Sequence, residues 1–235
     1  MMRRVHLCAC ALALSACGGG SGETAEPEPE AERSSGNERV EPNDGVEVEG
    51  LMGSISEMSV QRALEPKMGR FLRCFTSRLD DVEVLAGHFE MAFRIARDGT
   101  VRWVYGRAST IGDRETERCL LDTASRVRFT RPSGGEAEFA YPLDLDLVED
   151  VRPPTFWDSS RVADAVESLG PDVRSSCGGG GSVTVYVSPG GEVLAAGVVV
   201  DDPESQDHLD CVSEAVAGWT LPDPGSYAAK VSFDI

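Results

Sequence analysis

Apolar and polar residues alternate between residues 88 and 95, where Phe89, Met91, Phe93 and Ile95 are interleaved with His88, Glu90, Ala92 and Arg94. A period of two marks a strand with one buried face. Asp98-Gly99 follows, a pair that tolerates positive φ and so favours a hairpin, and a returning strand runs from Val101 to about Tyr105. From Asp113 the period becomes helical, with Cys119, Leu120, Thr123 and Val127 on one face. A last strand sets Ala137, Phe139, Tyr141 and Leu143 on one side. With a helix upstream around Cys74, the order is helix, strand, strand, helix, strand.

The same pattern returns. Val183, Val185 and Val187 lead into Pro189-Gly190-Gly191, and an apolar run from Val193 to Val200 comes back. A helix offers His208, Cys211, Val212 and Ala215 to a core, and a final strand presents Ala229, Val231, Phe233 and Ile235. Each turn lies 21 residues before a cysteine (119 − 98 and 211 − 190). Phe129-Thr130-Arg131-Pro132 follows Cys119 by ten residues, and Trp219-Thr220-Leu221-Pro222 follows Cys211 by eight. Leu64-Glu65-Pro66 precedes Cys74 as Leu169-Gly170-Pro171 precedes Cys177. This repetition predicts an α+β fold of two tandem domains, 54–147 and 156–235, joined by a linker at 148–155 that contains Pro153-Pro154. Each domain is expected to be a three-stranded antiparallel sheet with two helices on its one apolar face.

The N-terminus carries a different signal. Arg3 and Arg4 precede a short apolar run from Val5 to Leu14, about half of the roughly 20 residues a membrane-spanning helix needs. The run reads as an export signal over residues 1–16. Its end, Leu14-Ser15-Ala16-Cys17, resembles the bacterial lipoprotein box, which implies cleavage before Cys17, lipidation of that cysteine, and anchoring to the membrane. Gly18 differs from the Asp that commonly retains such proteins at the inner membrane, so the expected location is the outer membrane, facing the periplasm or the cell surface. Residues 18–50 then hold nine Glu, one Asp, two Arg, seven Gly and three Pro, with no aromatic residue. Such a composition predicts a disordered acidic tether up to residue 53, with a span of roughly 30 Å before charge repulsion extends it.

Charge narrows the partners. Forty Asp and Glu against 22 Lys and Arg give a net charge of −18, which excludes a general nucleic-acid binder because phosphate backbones are held by clustered cations. The charge is unevenly spread. Residues 54–147 hold 14 basic against 15 acidic side chains, whereas residues 148–235 hold 4 against 15. Arg70, Arg73, Arg126, Arg128 and Arg131 form a candidate patch for an anion or an acidic partner, with docking onto the second domain or plain solvation as the other readings.

Of the seven cysteines, Cys8 and Cys10 leave with the signal and Cys17 goes to lipid. The remaining four are shared two and two between the repeats. Helices side by side on one sheet face bring such residues together, and an exported chain meets an oxidising compartment. The expected disulfides are Cys74–Cys119 and Cys177–Cys211, with zinc binding, a redox pair or pairing across the repeats as the alternatives. Zinc would want four closely spaced ligands, and C-x-x-C redox spacing is absent from the sequence.

The block from Gly53 to Leu145 resembles the AgmX/PglI C-terminal domain, a relative of the TonB C-terminal domain. The resemblance rests on the Cys74 helix after Leu64-Glu65-Pro66, Asp98-Gly99-Thr100-Val101, Ser109-Thr110-Ile111-Gly112-Asp113 leading to Glu117-Arg118-Cys119, and Phe129-Thr130-Arg131-Pro132. Residues 156–235 are a more divergent match. The resemblance implies an envelope module that binds protein, sometimes within motility or transport machinery.

No motif for chemistry accompanies it. Gly178-Gly179-Gly180-Gly181 lacks the Lys-Ser/Thr of a phosphate loop. Asp80-Asp81 and Asp201-Asp202 lack EF-hand spacing. The expectation is therefore a non-enzymatic adaptor with no catalytic residues, metal site, cofactor or small-molecule substrate. It would be attached to the membrane by its N-terminal lipid and have an envelope protein as partner. A self-associating structural lipoprotein, or an enzyme of unknown type, are the alternatives.

Overall fold

The computed structural model describes residues 52–235. The export signal, the lipidated Cys17 and nearly all of the acidic tether lie outside the described residues. In chain order the elements are α1 (Glu57–Leu64), α2 (Met68–Thr76), β1 (Gly87–Ile95), β2 (Val101–Ser109), α3 (Arg114–Ser125) and β3 (Ala137–Leu145). The second half has β4 (Thr155–Phe156), α4 (Ala163–Cys177), β5 (Ser182–Val187), β6 (Val193–Val199), α5 (Leu209–Ala217) and β7 (Ala229–Asp234).

The first sheet has the order β2-β1-β3 and is antiparallel throughout. Phe89, Met91, Phe93 and Ile95 are all buried on its helix side, as their alternation predicts. Phe93 stacks on Phe139 at 4.9 Å between ring centroids, with Phe129 edge-on to both. Ser56 caps α1 and Asp113 caps α3 by accepting from the amides of Ser59 and Thr116. Pro66 falls in a 3₁₀ turn, Glu65–Lys67, that separates α1 from α2. Its counterpart Pro171 sits inside an unbroken α4.

The second sheet departs from the expectation. It has four strands in the order β4-β7-β5-β6, and β4 pairs parallel to β7. Residues 148–155 are accordingly not a bare linker: Pro154 is buried and Thr155 already pairs with Ala229. In addition, β2 continues past Tyr105 to Ser109. The buried stripe of α5 is Leu209, Val212, Ser213 and Val216, while Cys211 is exposed and His208 precedes the helix.

The internal repeat is legible in the hydrogen bonds. The amide of Phe129 donates to Gly99 O at 2.9 Å, and that of Leu221 donates to Gly191 O at 2.9 Å, an offset of 92 (191 − 99 and 221 − 129). The same offset relates Thr100↔Arg128 to Glu192↔Thr220, and the β-bulge at Arg94/Ile95 to that at Tyr186/Val187. Gly99 and Gly191 both have positive φ and both turn their Cα onto a backbone carbonyl, so only glycine fits either site. Trp219 therefore corresponds to Val127, and Leu221 to Phe129, correcting the sequence match of Phe129 with Trp219 by two residues.

Both cysteine pairs are disulfides, Cys74–Cys119 and Cys177–Cys211, each with a Cα–Cα distance of 5.6 Å. Each pins the helix before the hairpin to the helix after it.

The two repeats belong to one compact unit. Val183, Val185 and Val187 of β5 point to α4 and α5, while Tyr186 of the same strand is part of the first repeat's core. In β6, Ala196 and Val198 face their own helices, and Ala195 and Val199 face the first repeat. The second sheet is thus covered on both faces, which corrects the expectation of a single apolar face. At this seam a Cβ on Gly197 would collide with Glu117 Oε1 and lie 2.8 Å from Asp113 N.

Two outcomes follow for stability. Gly197→Ala should destabilise the chain by about 1–3 kcal/mol, since the seam must be overpacked, whereas Gly69→Ala, in α2 with open space around the site, should stabilise it by about 0.5–1 kcal/mol; urea titrations of the two variants check both signs. Removing either bridge as a paired Cys→Ser change should lower stability by about 4 kcal/mol from loop closure, given sequence separations of 45 and 34 residues.

Candidate functional site

The seam between the repeats gathers the most unusual side chains of the described chain. Glu117, in the first turn of α3, is fully buried. Its Oε1 accepts from Ser109 Oγ at 2.7 Å and its Oε2 from the amide of Val198 at 3.0 Å. Val198 lies on β6, the edge strand of the second sheet, so this carboxylate satisfies an edge amide of the opposite repeat. Ser213 Oγ supplies the complementary bond, donating to Ala196 O at 2.8 Å. The nearest cation is Arg114, whose Nη1 is 4.0 Å from Glu117 Oε2, is buried, and has no hydrogen-bond partner among the described residues. Arg114 Nε instead donates to Asp210 of α5 at 2.8 Å. Burial outweighs these favourable contacts and pushes the Glu117 carboxyl up to about 7.

A second polar cluster lies at Ala86, in the loop before β1. Tyr186 Oη donates to Ala86 O at 2.8 Å and accepts from Ala86 N at 3.0 Å. Lys230 of β7 donates from Nζ to the same carbonyl at 2.5 Å, and its ammonium lies 4.8 Å from the Tyr186 ring centroid. Only 6% of Lys230 is exposed. Burial pulls the Lys230 ammonium down to about 8, with no acidic side chain opposing it. Lys230 and Tyr186 line a cavity of about 610 Å³ together with Val84, Leu147, Pro154, Phe156, Trp157 and Val231. Asp158 stands at the same cavity and accepts from Ser160 N at 3.0 Å.

A third feature is the outer edge of β3, which among the described residues pairs only with β1. Pro142 reports its polarity. Proline offers no amide, and its place opposite Glu90 in an intact ladder requires that position to face away from β1. Amide directions alternate along a strand, so Glu138, Ala140 and Asp144 also turn their amides outward. Beside this edge lies a small apolar pocket of about 240 Å³ formed by Met68, Phe71, Leu72, Leu143 and Leu145, with Leu72 exposed.

The five arginines of the expected patch come from two segments. Arg70 and Arg73 are exposed on α2, while Arg126, Arg128 and Arg131 are exposed in the segment after α3. Arg126 Nη2 is 2.6 Å from Asp122, so this member of the patch is already paired locally. Among the described residues no group of three or more His, Cys, Asp or Glu could hold a metal ion, and no helix is long and apolar enough to cross a membrane. Sequence reasoning missed Glu117 and Lys230. A signal for Lys230 exists, since the chain has only two lysines, Lys67 and Lys230, and the latter sits among Ala228, Ala229 and Val231.

Glu117 makes stability depend on pH with a definite sign. Its folded pKa lies above the ordinary 4.5, so the native state holds a proton that the unfolded state releases. Its favourable contribution is complete below 4.5 and is lost as pH rises through about 7, a span of about 3 kcal/mol. Glu117→Gln keeps the shape without the charge and should flatten the difference between pH 4.5 and 7, leaving the variant more stable than wild type at pH 8. Paired urea titrations across that range would show parallel curves if the carboxyl carried no such burden.

Comparison with family models, with curated proteins and with solved structures finds no match for this chain.

Proposed function

We propose that this chain is an exported lipoprotein, cleaved after residue 16, acylated at Cys17 and held at the outer membrane by the acidic tether. Its folded part acts as a non-enzymatic adaptor that binds a protein of the cell envelope, in a motility or transport assembly of the kind the AgmX/PglI resemblance suggests. The proposed mode is addition of an extended partner segment to the outer edge of β3.

One observation carries this reading: the two repeats treat equivalent edges differently. At the offset of 92, β3 corresponds to β7 (229 − 137). The outer edge of β7 is occupied by β4, with Thr155 N donating to Ala228 O and Trp157 N donating to Lys230 O, both at 2.9 Å. In the first repeat Gly53 N donates to Glu136 O at 2.6 Å, the counterpart of Thr155 N to Ala228 O (228 − 136), but among the described residues no strand continues this cover along the outer edge of β3 over Ala137–Leu145. Backbone bonds along that edge supply affinity, and the pocket around Leu72 supplies a seat for an apolar side chain. The charges of Glu138 and Asp144 and the missing amide of Pro142 discourage indiscriminate pairing.

Ala140→Pro tests the mode, because the outward amide of Ala140 does not serve the β1 ladder. Crosslinking in intact cells should recover an envelope protein with the wild-type chain and lose it, by about tenfold or more, with the variant, while the melting temperature changes little. Equal recovery would overturn strand addition at β3. If the mature wild-type chain sediments as a dimer and the variant as a monomer, the occupant is a second copy and the protein is a self-associating structural lipoprotein.

A further inference from the structure

The cavity at the seam has a chemistry that the adaptor reading does not use. Its volume of about 610 Å³ lies within the range of small-molecule sites. Apolar side chains dominate its wall, and Phe156 stands 72% exposed on it, an unusual posture for a large aromatic ring. Among the described residues the one cation in the wall is Lys230, on the β7 face turned away from α4 and α5. An ammonium has three donors, and one of them is directed to Ala86 O. That carbonyl does not depend on the lysine, since Tyr186 Oη also donates to it. A buried cation is normally compensated by an anion. Here the facing groups are the Tyr186 ring, a backbone carbonyl, and Ser232, whose hydroxyl is engaged with Thr184 at 2.7 Å. Asp158 at the cavity is occupied as the cap of the turn Ser159–Val162.

We infer that this cavity binds an amphipathic monoanion, its carboxylate on the Lys230 ammonium and its alkyl or aryl body against Phe156, Trp157, Leu147 and Val84. A single negative charge is specified by the surroundings. The repeat that supplies Lys230 carries 15 acidic against 4 basic side chains over residues 148–235, a field that repels polyanions such as nucleotides or oligophosphates. An apolar body is required because burying an anion without one would desolvate the wall for no gain. Trp157, stacked by Arg161 at 5.1 Å, is held as one side of the slot.

The test uses the mature chain with dodecanoate below its micelle concentration, followed by calorimetry and thermal shift, with dodecanol and dodecyltrimethylammonium as the neutral and cationic comparisons. Dodecanoate should bind about tenfold or more tightly than dodecanol, and the cation should bind weakest, since a charge-assisted bond adds to a shared apolar term. Lys230→Met should reduce dodecanoate affinity to that of dodecanol while leaving dodecanol within about threefold. Phe156→Ala, a change at an exposed position, should weaken dodecanoate and dodecanol alike. Equal binding of dodecanoate and dodecanol to the wild-type chain would overturn the proposal whether or not Lys230→Met folds, and so would dodecanoate affinity unchanged by Lys230→Met. These outcomes are independent of the β3 edge, so failure here leaves the adaptor reading standing and the converse also holds.

Discussion

A sheet that is apolar on both faces cannot be half of a two-layer domain. That constraint fixes the architecture of this chain. Helices α4 and α5 cover one side of β5 and β6, and without a second cover Tyr186, Ala195 and Val199 would face water. The first repeat supplies it, and in doing so becomes part of the same compact body. The hydrophobic effect explains why the surfaces meet, but it is non-directional. Orientation comes from the polar bonds at the seam: Glu117 to the Val198 amide, Tyr186 to both polar groups of Ala86, Tyr105 Oη to Asp201 O at 3.0 Å, and Arg114 to Asp210. Each satisfies backbone or charged groups that burial would otherwise leave unpaired.

The seam is not optimised for stability alone. A buried glutamate whose nearest guanidinium nitrogen is 4.0 Å away, and a buried lysine with no carboxylate, both oppose folding relative to apolar residues of similar volume. Glu117 has an architectural reason, since β6 would otherwise present an unsatisfied edge amide inside the protein. Gly197 belongs to the same device: the absence of a side chain there lets the carboxylate approach the strand. Lys230 has no comparable necessity, because Ala86 O is already bonded to Tyr186. A costly group without a structural need is a better pointer to function than a satisfied one.

Much of this fold is written in local pattern. The alternation in Phe89–Ile95, the turns at Asp98-Gly99 and Gly190-Gly191, and the equal spacing of turn and cysteine gave the hairpins, the repeat and both disulfides, because each depends on residues near in sequence or on helices that a small sheet must place side by side. The seam was hidden for the opposite reason. Val183, Thr184, Val185, Tyr186 and Val187, and likewise Ala195 to Val200, are nearly continuous apolar runs, the pattern of strands buried on both sides, yet alternation of valines alone suggested one face. The partner of Val198 lies 81 residues away at Glu117, beyond any local rule. Matching Trp219 to Phe129 failed because bulk resemblance was followed across a segment where the backbone, fixed by the Gly99 and Gly191 carbonyls, keeps a constant offset and the large side chain has moved from one position to another.

The divergence of the repeats then has a physical logic. Two copies of a helix-over-sheet unit each offer an open strand edge at β3 or β7 and one sheet face without helices. In the second copy every one of these surfaces is consumed: the face by the first repeat, the β6 edge by Glu117 and Ser213, and the β7 edge by β4 after Pro153-Pro154. The first copy carries ion pairs on its outward face, Glu90 with Arg107 at 2.6 Å and Arg94 with Glu136 at 2.5 Å, beside Trp103 and Tyr105, and among the described residues it leaves the outer edge of β3 open over Ala137–Leu145. A two-residue strand suffices to cover β7 because it is tethered, so its local concentration is high. An untethered partner at β3 would need a longer ladder for the same occupancy, and the nine residues of β3 against the six of β7 provide one.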